Sequence, residues 1–303
     1  MPKTILLLGS ETLPELQLIQ QKLNKSNSRT ILLDTARLPR DFQISWSPEH
    51  NAGLLHCSCG TYELAEIAAA FWFRFTPPRG ISEPTIQKDY QSLLNLLLHN
   101  PAISWRNHIN TIRYHQQKPQ QLAHAKQLGL SVPASYIGNN IDQAMLFANC
   151  HRTTIAKPVH GGDYAERLAE GPQLKQALSA RLQRSPVTLQ QFIAGTNIRT
   201  YVIDDTVLSV EIASANTDFR TDPQAYLLPH ALSQSAHHQA LTLCAAFGMH
   251  WTAIDWRLTP DGEYVFLEAN PAPCFYRFEQ QSRLPLSDLL TDMLLKAANQ
   301  PLH

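Results

Sequence analysis

Three side chains with oxygen ligands stand close together in the stretch TAIDWRLTPDGEYVFLEANP, near the C-terminus: Asp255, Glu268 and Asn270. Both halves of this stretch alternate apolar and polar residues, as half-buried strands do. Between them, Asp261-Gly262 is a strong signal for a tight turn. The stretch is therefore predicted to be a β-hairpin that brings the three side chains together.

The register of the hairpin decides which side chains face each other. A four-residue loop would pair Thr259 with Tyr264 and set Asp255 directly opposite Glu268. Like charges facing each other across a ladder destabilise it by roughly 0.2–1 kcal/mol. We therefore expect a cation between the two carboxylates.

Side chains two residues apart share a face, so Arg257, Glu268 and Asn270 should lie on the same face as Asp255. Two carboxylates and an amide oxygen are hard ligands that suit Mg²⁺, which usually completes its shell with waters and substrate phosphates. A magnesium site for a nucleotide is the leading interpretation. A hairpin whose charges simply face water is the alternative that these residues leave open.

Other segments carry groups that suit a nucleotide. Lys157 ends an apolar strand just before PVHGGD, where a lysine can meet a phosphate and Gly161-Gly162 let backbone amides approach it. Backbone groups near Gln191 to Ile193 could hydrogen-bond an adenine edge, with Phe192 or Ile193 against its face. Guanidinium groups clamp phosphate and carboxylate oxygens, and the candidates are Arg199, Arg220 and Arg257. Each feature alone is also typical of an ordinary loop or a solvated surface.

Composition limits the class of function. The chain has 303 residues, and its 25 Lys plus Arg balance its 25 Asp plus Glu, so no general attraction to nucleic acid or an anionic membrane is expected. The apolar run before Gly9 is too short for a signal peptide, and no stretch could span a bilayer. Cys57 and Cys59 lack the spacing of a zinc site. We expect a cytoplasmic protein without nucleic-acid or membrane partners, whose five cysteines are buried free thiols.

Proline and glycine divide the chain into three predicted lobes. Residues 1–115 read as an α/β lobe, with strands such as TILLLG and a helix in LPELQLIQQKL. Residues 116–195 form a compact central lobe, and residues 196–303 a last lobe in α+β order. The sequence contains no three-glycine dinucleotide fingerprint, Walker loop or Gly-x-Ser-x-Gly elbow.

The order of these features resembles the ATP-grasp superfamily. From about Lys118 onward, the features follow one another in this order: a lysine on a helix, a lysine on a strand followed by Gly-Gly, a linker, arginines, and the DWRL…FLEANP hairpin. The resemblance implies an ATP-grasp fold with an N-terminal pre-ATP-grasp lobe and a nucleotide held between two antiparallel sheets. In the first lobe, LLDTARLPRDFQISW and AEIAAAFWFRFTPP look like the ligases that mature graspetides, the microviridin type of ribosomal peptide. Relatives of those ligases include the ribosomal-protein glutamate ligase and glutathione synthetase.

By this resemblance, ATP and Mg²⁺ are the expected cofactors. Mg²⁺ would be bound by Asp255, Glu268 and Asn270. The other implied contacts are Lys118 and Lys157 at the ATP phosphates, Gln190, Gln191, Phe192 and Ile193 around adenine, and Arg199, Arg220 and Arg257 at the γ-phosphate and the activated carboxylate.

Three positions depart from the usual pattern of the superfamily. Gln191 replaces a common acid in the linker, and Asn197 stands where an acid often precedes the arginine. The segment APCFYRFE, after Asn270-Pro271, lacks a usual glycine. The nucleotide site is expected to survive these changes, and any difference from the maturases is expected at the acceptor pocket. Cys274 in this segment is expected to be a packing thiol.

The implied reaction is ATP-dependent activation of a carboxylate through an acyl phosphate. An amine or a hydroxyl then displaces phosphate and forms an amide or an ester. The expected substrate is a ribosomally made precursor peptide, and a small-molecule carboxylate such as an amino acid is the alternative. A kinase of the same fold, a noncatalytic peptide-binding protein and a homodimer also stay open.

Overall fold

The computed structural model describes residues 2–26, 28–160, 165–168, 171–214, 216, 219 and 222–300. The chain forms two compact units. The first is built from residues 1–112, 248–252 and 271–303, and the second from residues 113–247 and 253–270.

The first unit contains two sheets. One is parallel, and its strands in sheet order are β2 (Arg29–Leu33), β1 (Thr4–Leu8), β6 (Ile67–Trp72) and β7 (Ser104–Arg106). The other is antiparallel and consists of β3 (Phe42–Ser47), β4 (Ala52–Cys57) and β5 (Gly60–Glu63). Strand β1 is buried along its whole length, because parallel strands with helices on their faces have no side open to water.

The helices of the first unit come from both ends of the chain. They are α1 (Pro14–Leu23), α2 (Pro84–Leu98), α8 (Tyr276–Ser282) and α9 (Leu286–Asn299), while α3 (Ile109–His115) crosses from the first unit into the second. Helix α9 packs against α1 and β6 through Leu286, Leu290 and Leu294, whose i, i+4 spacing makes one apolar stripe. Residues 271–303 therefore lie in the first unit, whereas sequence order placed them with the last lobe. The three lobe boundaries remain predictions.

The second unit contains two further sheets. The smaller one, in sheet order, consists of β10 (Glu166–Arg167), β9 (Thr154–Pro158), β11 (Val187–Gln191) and β8 (Ser135–Gly138), all antiparallel. The larger one consists of β14 (Tyr226–His230), β13 (Thr206–Ala213), β12 (Thr196–Ile203), β15 (Trp251–Leu258) and β16 (Tyr264–Asn270). Its hairpin β12–β13 turns at Asp204-Asp205.

The described residues of the second unit form four further helices: α4 (Lys118–Gln127), α5 (Ile141–Cys150), α6 (Leu174–Leu182) and α7 (Gln234–Ala246). Helices α5 and α6 cover the smaller sheet, and Ala144, Leu178 and Leu189 are fully buried between them. Among the helices of the described residues, none is both long and apolar enough to cross a membrane. The predicted combination of an α/β lobe with α+β lobes is confirmed.

The cysteines differ from expectation. Cys57 and Cys59 form a disulfide across the turn between β4 and β5, and Cys150 and Cys274 are exposed. Only Cys244 is a buried free thiol, and burial raises its pKa to about 12. The expectation of buried free thiols is therefore confirmed for Cys244 and wrong for the other four. Cys274 lies on the surface with its Sγ 3.7 Å from Arg74 Nη2, so a packing role is wrong for this thiol.

Candidate functional site

The hairpin of β15 and β16 places two carboxylates opposite each other. Asp255 pairs with Glu268, and Ala253 pairs with Asn270 two positions along the ladder. The predicted opposition of Asp255 and Glu268 is confirmed. Since Ala253 and Asp255 share a face, Asn270 lies on the face of the two carboxylates, as the sequence predicted.

The turn of the hairpin differs from the prediction by one residue. Tyr264 pairs with Leu258 rather than with Thr259, so the loop is one residue longer than expected. An irregularity in the ladder next to Asp255 inserts one extra residue into β16 and restores the register. The longer loop and the extra residue in β16 shift the register in opposite directions, so that Asp255 still faces Glu268.

Cationic side chains of the second unit compensate both carboxylates. Arg199, on β12, donates from Nε and Nη2 to the two carboxylate oxygens of Asp255, at 2.7 and 2.8 Å. Lys118, on α4, forms an ion pair with Glu268. Burial acts to lower the Arg199 pKa, but the charge and hydrogen bonds of Asp255 outweigh it and raise that pKa. Each carboxylate is thus neutralised by a side chain of the protein, and the cation expected between the two stays a prediction.

Glu268 is the electrostatic centre of the site. Burial favours its neutral form, but the charge and hydrogen bond of the Lys118 ammonium oppose this, and Lys157 and His115 act in the same direction as Lys118. The net effect lowers the Glu268 pKa from its ordinary 4.5 to about 2, so the carboxylate is ionised at neutral pH. Two lysine ammonium groups around one carboxylate leave an excess of positive charge, which favours an anionic ligand.

Helix α4 is fixed beside β16 by a buried amide. Gln121 donates from Nε2 to the Ala269 carbonyl oxygen at 3.0 Å, and its Oε1 accepts from the Ala269 N–H at 3.1 Å. This pair satisfies two backbone groups at the end of the strand. It also sets the height of α4 so that Lys118, at its first turn, reaches Glu268. The sequence analysis missed Gln121, because its polar side chain looked like an ordinary exposed helix residue.

Lys157 points from β9 toward a glutamine. Its Nζ donates to Gln190 Oε1 at 3.0 Å, and Gln190 Nε2 donates to Ser135 Oγ at 3.0 Å. Burial lowers the Lys157 pKa, the charge of Glu268 opposes this, and Lys118 adds to it. A partly desolvated ammonium with a neutral partner is well suited to a phosphate.

The linker between β11 and β12 is held by Arg257. The guanidinium donates to the Ile193 carbonyl oxygen at 3.0 Å, to Asn197 Oδ1 at 2.7 Å and to the Gly195 carbonyl oxygen. Asn197, where an acid is usual, therefore still serves as an acceptor. In this structure Arg257 fixes the linker, and its predicted contact with the γ-phosphate stays a prediction.

The backbone of the predicted adenine segment is already partly engaged. The Gln191 N–H donates to the Ala134 carbonyl oxygen at 2.9 Å, and the Phe192 N–H to that of Thr153 at 3.0 Å. Two guanidinium groups lie over the Phe192 ring, with Arg167 Cζ at 4.4 Å and Arg257 Cζ at 5.7 Å from its centroid. These contacts order the segment through cation–π attraction and ladder hydrogen bonds.

Some predicted positions lie outside the described residues, and one unpredicted residue joins the site. Arg220, Gly161 and Gly162 belong to the undescribed part of the chain. His115, at the end of α3, has a buried Nε2 with no hydrogen-bond partner among the described residues, and it interacts electrostatically with Glu268. No spacing rule could have found His115 from the sequence.

The donor set fits Mg²⁺. Asp255, Glu268 and Asn270 offer carboxylate and amide oxygens, and the low Glu268 pKa keeps that ligand ionised. No group of three or more His, Cys, Asp or Glu side chains converges within the part of the chain that the structure describes. A pair of carboxylates without a full cage is what an ion that also binds substrate phosphates requires.

Comparisons with known proteins identify the fold. No protein-family model matches the chain. Among curated proteins, the MG012 homolog of Mycoplasma pneumoniae, an uncharacterized protein, is 28% identical over 123 residues, which are 38% of this chain and 42% of that protein. The match thus spans less than half of that relative.

Solved structures match over nearly the whole chain. The macrocyclase MdnC of Microcystis aeruginosa, bound with its precursor peptide MdnA, is 22% identical with a TM-score of 0.82, over 97% of this chain and 99% of that one. The ATP-grasp ligase PsnB, complexed with a minimal precursor, Mg and ADP, is 23% identical with a TM-score of 0.82, over 97% of both chains.

A third structure is an ATP-grasp ligase of Chryseobacterium gregarium, in complex with ADP and a leader and core peptide. It is 19% identical with a TM-score of 0.80, over 99% of this chain and 98% of that one. Similarity at this level of identity establishes the architecture of the whole chain. The fold of this chain is therefore the ATP-grasp fold with its N-terminal lobe, as the sequence predicted.

Proposed function

We propose that this chain is an ADP-forming carboxylate ligase that uses ATP and Mg²⁺. The observation that carries the proposal is the opposed pair of Asp255 and Glu268, set in an ATP-grasp fold with Lys118 and Lys157 around Glu268. Two ionisable carboxylates for a metal and an excess of positive charge for phosphates form a nucleotide-triphosphate site.

We further propose that the acceptor is a ribosomally made precursor peptide, joined through its side chains by amide or ester bonds. MdnC is a macrocyclase bound with a precursor peptide, and PsnB is complexed with its minimal precursor. The similarity to them extends over the N-terminal lobe as well as the ATP-grasp lobes, which supports a shared class of substrate.

The chain's side chains have distinct roles in this reaction. Asp255, Glu268 and Asn270 would hold Mg²⁺, which supplies charge neutralisation at the phosphate oxygens when bound. Lys118 and Lys157 would neutralise the phosphates, which favours the loss of ADP. No nucleophile of the protein takes part.

The bonds balance in two steps. A carboxylate oxygen of the substrate attacks the γ-phosphorus, and the bond to the ADP oxygen breaks. A hydroxyl or an amine then attacks the carbonyl carbon of the acyl phosphate, loses its proton, and expels phosphate. One oxygen of the original carboxylate therefore leaves with the phosphate.

Oxygen-18 labelling tests this sequence of steps. A precursor peptide carrying the label in its side-chain carboxylates is incubated with the protein, ATP and Mg²⁺, and phosphate and peptide are analysed by mass spectrometry. We expect one labelled oxygen in phosphate and the loss of one water mass from the peptide for each bond formed. Unlabelled phosphate with a peptide heavier by a phosphoryl group would identify a kinase and contradict the ligase proposal.

The nature of the acceptor is tested in the same assay. ADP release with free amino acids but not with the peptide would identify a small-molecule ligase. ADP release with neither, despite nucleotide binding, would favour a noncatalytic peptide-binding protein. A cytoplasmic location and the lack of nucleic-acid and membrane partners stay predictions, and a homodimer stays open.

A further inference from the structure

Gln190 stands in the middle of a row of three polar side chains. On β11 it pairs with Ser135 of β8 on one side and with Ile155 of β9 on the other. Lys157 lies two residues beyond Ile155 on β9, and residues two apart share a face. Ser135, Gln190 and Lys157 therefore lie on one face of the smaller sheet, across three neighbouring strands.

Hydrogen bonds give this row a fixed direction. The Ser135 hydroxyl donates to the Pro133 carbonyl oxygen at 2.9 Å, so its oxygen is left to accept from Gln190 Nε2 at 3.0 Å. The amide of Gln190 must then turn its Oε1 toward the Lys157 ammonium, at 3.0 Å. The opposite orientation would point an NH₂ group at an ammonium, two donors with no acceptor between them.

The side chain of Gln190 has no surface left for a base. The residue is 1% exposed, and both ends of its amide are engaged within the sheet. An adenine ring that stacks or pairs with this side chain would have to displace Lys157 or Ser135. The side chain of Gln190 is therefore not available to adenine in this arrangement, and the contact that the resemblance implied for the segment stays a prediction for its backbone groups.

The choice of a neutral partner matters for Lys157. A carboxylate at position 190 would pair with the ammonium and compete with an incoming phosphate, whereas an amide oxygen orients the ammonium and leaves its charge available. Burial lowers the Lys157 pKa, and Glu268 acts in the opposite direction. A polar acceptor therefore helps to keep this partly desolvated group charged.

We infer that Gln190 is a positioning residue that, oriented by Ser135, holds the Lys157 ammonium toward the nucleotide phosphates and does not contact adenine. The inference rests on the proposed function, since it requires a nucleotide phosphate at Lys157. Its scope is narrower, because a ligase whose Gln190 only packs the sheet would satisfy the proposed function equally well.

A double-mutant cycle tests the inference. The affinity for ADP with Mg²⁺ is measured by calorimetry for the wild type, Gln190→Leu, Lys157→Ala and the double variant. Each single change is expected to weaken binding about tenfold, the scale of one hydrogen bond to a charged group. In the Lys157→Ala background, Gln190→Leu should cause no further loss, because it acts only through the lysine. Losses that multiply would overturn the inference.

Two further variants keep the test decisive. Ser135→Ala removes the group that orients the amide, and we expect about threefold weaker binding that also disappears in the Lys157→Ala background. An equal effect of Ser135→Ala with and without Lys157 would contradict the inference even if Gln190→Leu did not fold.

Gln183→Leu makes the same chemical change at an exposed position of the second unit and should leave the affinity unchanged. A wild type that binds no ADP would overturn the proposed function and the inference together.

Discussion

Two of the three predicted magnesium ligands, Asp255 and Glu268, form ion pairs within the second unit. The side chains of Arg199 and Asp255 are 14% and 18% exposed, while those of Lys118 and Glu268 are 21% and 30% exposed. The sequence predicted that the two carboxylates face each other, since alternation and turn signals are local. It did not predict the pairing of Arg199 with Asp255, because a contact 56 residues apart depends on how β12 and β15 meet in the sheet.

The two carboxylates should differ in their effect on stability. Asp255→Asn leaves the Arg199 charge without its bidentate partner, and we expect the free energy of unfolding to fall by about 2–3 kcal/mol. Glu268→Gln opens a more exposed pair and should cost about 1 kcal/mol. Urea unfolding measures both, with ADP release followed on the folded variants.

Both variants are expected to lose ADP formation, because each removes a proposed metal ligand. Equal decreases in the free energy of unfolding for the two variants would contradict the expectation that the less exposed pair, Arg199 with Asp255, contributes more to stability. Undiminished ADP release from folded Glu268→Gln would contradict the metal assignment.

His115 should make the protein sensitive to mild acid. Burial lowers its pKa from 6.5 to about 4; Glu268 opposes this, and Lys118 and His160 reinforce it. Between pH 6.5 and pH 4 this histidine is protonated in the unfolded chain but not in the folded chain. The contribution of neutral His115 to the free energy of unfolding is therefore complete above pH 6.5 and is lost as the pH falls toward 4. The variant His115→Gln should show a shallower loss of unfolding free energy across this range, measured by urea titration at a series of pH values. An unchanged slope would show that the acid sensitivity lies elsewhere.

At the scale of the elements, the hairpin of β15 and β16 shows how far local reasoning reaches. Asp261-Gly262 and the alternation predicted the hairpin and its orientation. The loop length and the irregularity beside Asp255 were not predicted, because they depend on the packing of the neighbouring segments. One such neighbour is Ser131, whose carbonyl oxygen accepts the Phe266 N–H at 2.8 Å. The correct pairing of the carboxylates therefore came from an incorrect turn.

The linker between β11 and β12 depends on a glycine. Gly195 has φ +138°, and a Cβ there would overlap the Leu258 carbonyl oxygen of β15. Because that oxygen belongs to a strand backbone, it cannot turn aside as a flexible side chain would. We expect Gly195→Ala to destabilise the protein by about 2–4 kcal/mol and to weaken ADP binding, since the Arg257 contacts of the linker would shift.

Gly262→Ala is the matched control for the linker glycine. Gly262 also has a positive φ, +85°, but a Cβ there meets nothing within 4 Å. Its substitution should cost about 1 kcal/mol from backbone strain alone, with unchanged ADP affinity. Thermal unfolding and calorimetry compare the two variants. Similar effects at both glycines would contradict the role of the close approach in the linker.

At the scale of the whole molecule, the C-terminal residues belong to a different unit from the residues that directly precede them in the sequence. Sequence order assigned residues 271–303 to the last lobe, but the apolar stripe of α9 packs in the first unit, on α1 and β6. The local pattern of the helix does not specify which distant segments it packs against. The resemblance to a known family predicted the ATP-grasp fold, whereas periodicity alone predicted only the α/β and α+β classes.

The division into units predicts where a nucleotide should order the protein. The proposed contacts come from β9 of the smaller sheet and from β15 and β16 of the larger one, all within the second unit. ADP with Mg²⁺ should therefore slow amide hydrogen exchange in both of these sheets at once, because a ligand that binds only the folded state suppresses the local openings that would break its site. At 100 times the Kd, the added protection corresponds to about 2.7 kcal/mol where exchange requires the site to open.

Strands β1 and β6 of the first unit serve as internal controls, and Glu268→Gln should show no nucleotide-dependent change in either sheet. Protection confined to one sheet would contradict a nucleotide held between the two, because contacts to a single sheet leave the other free to open.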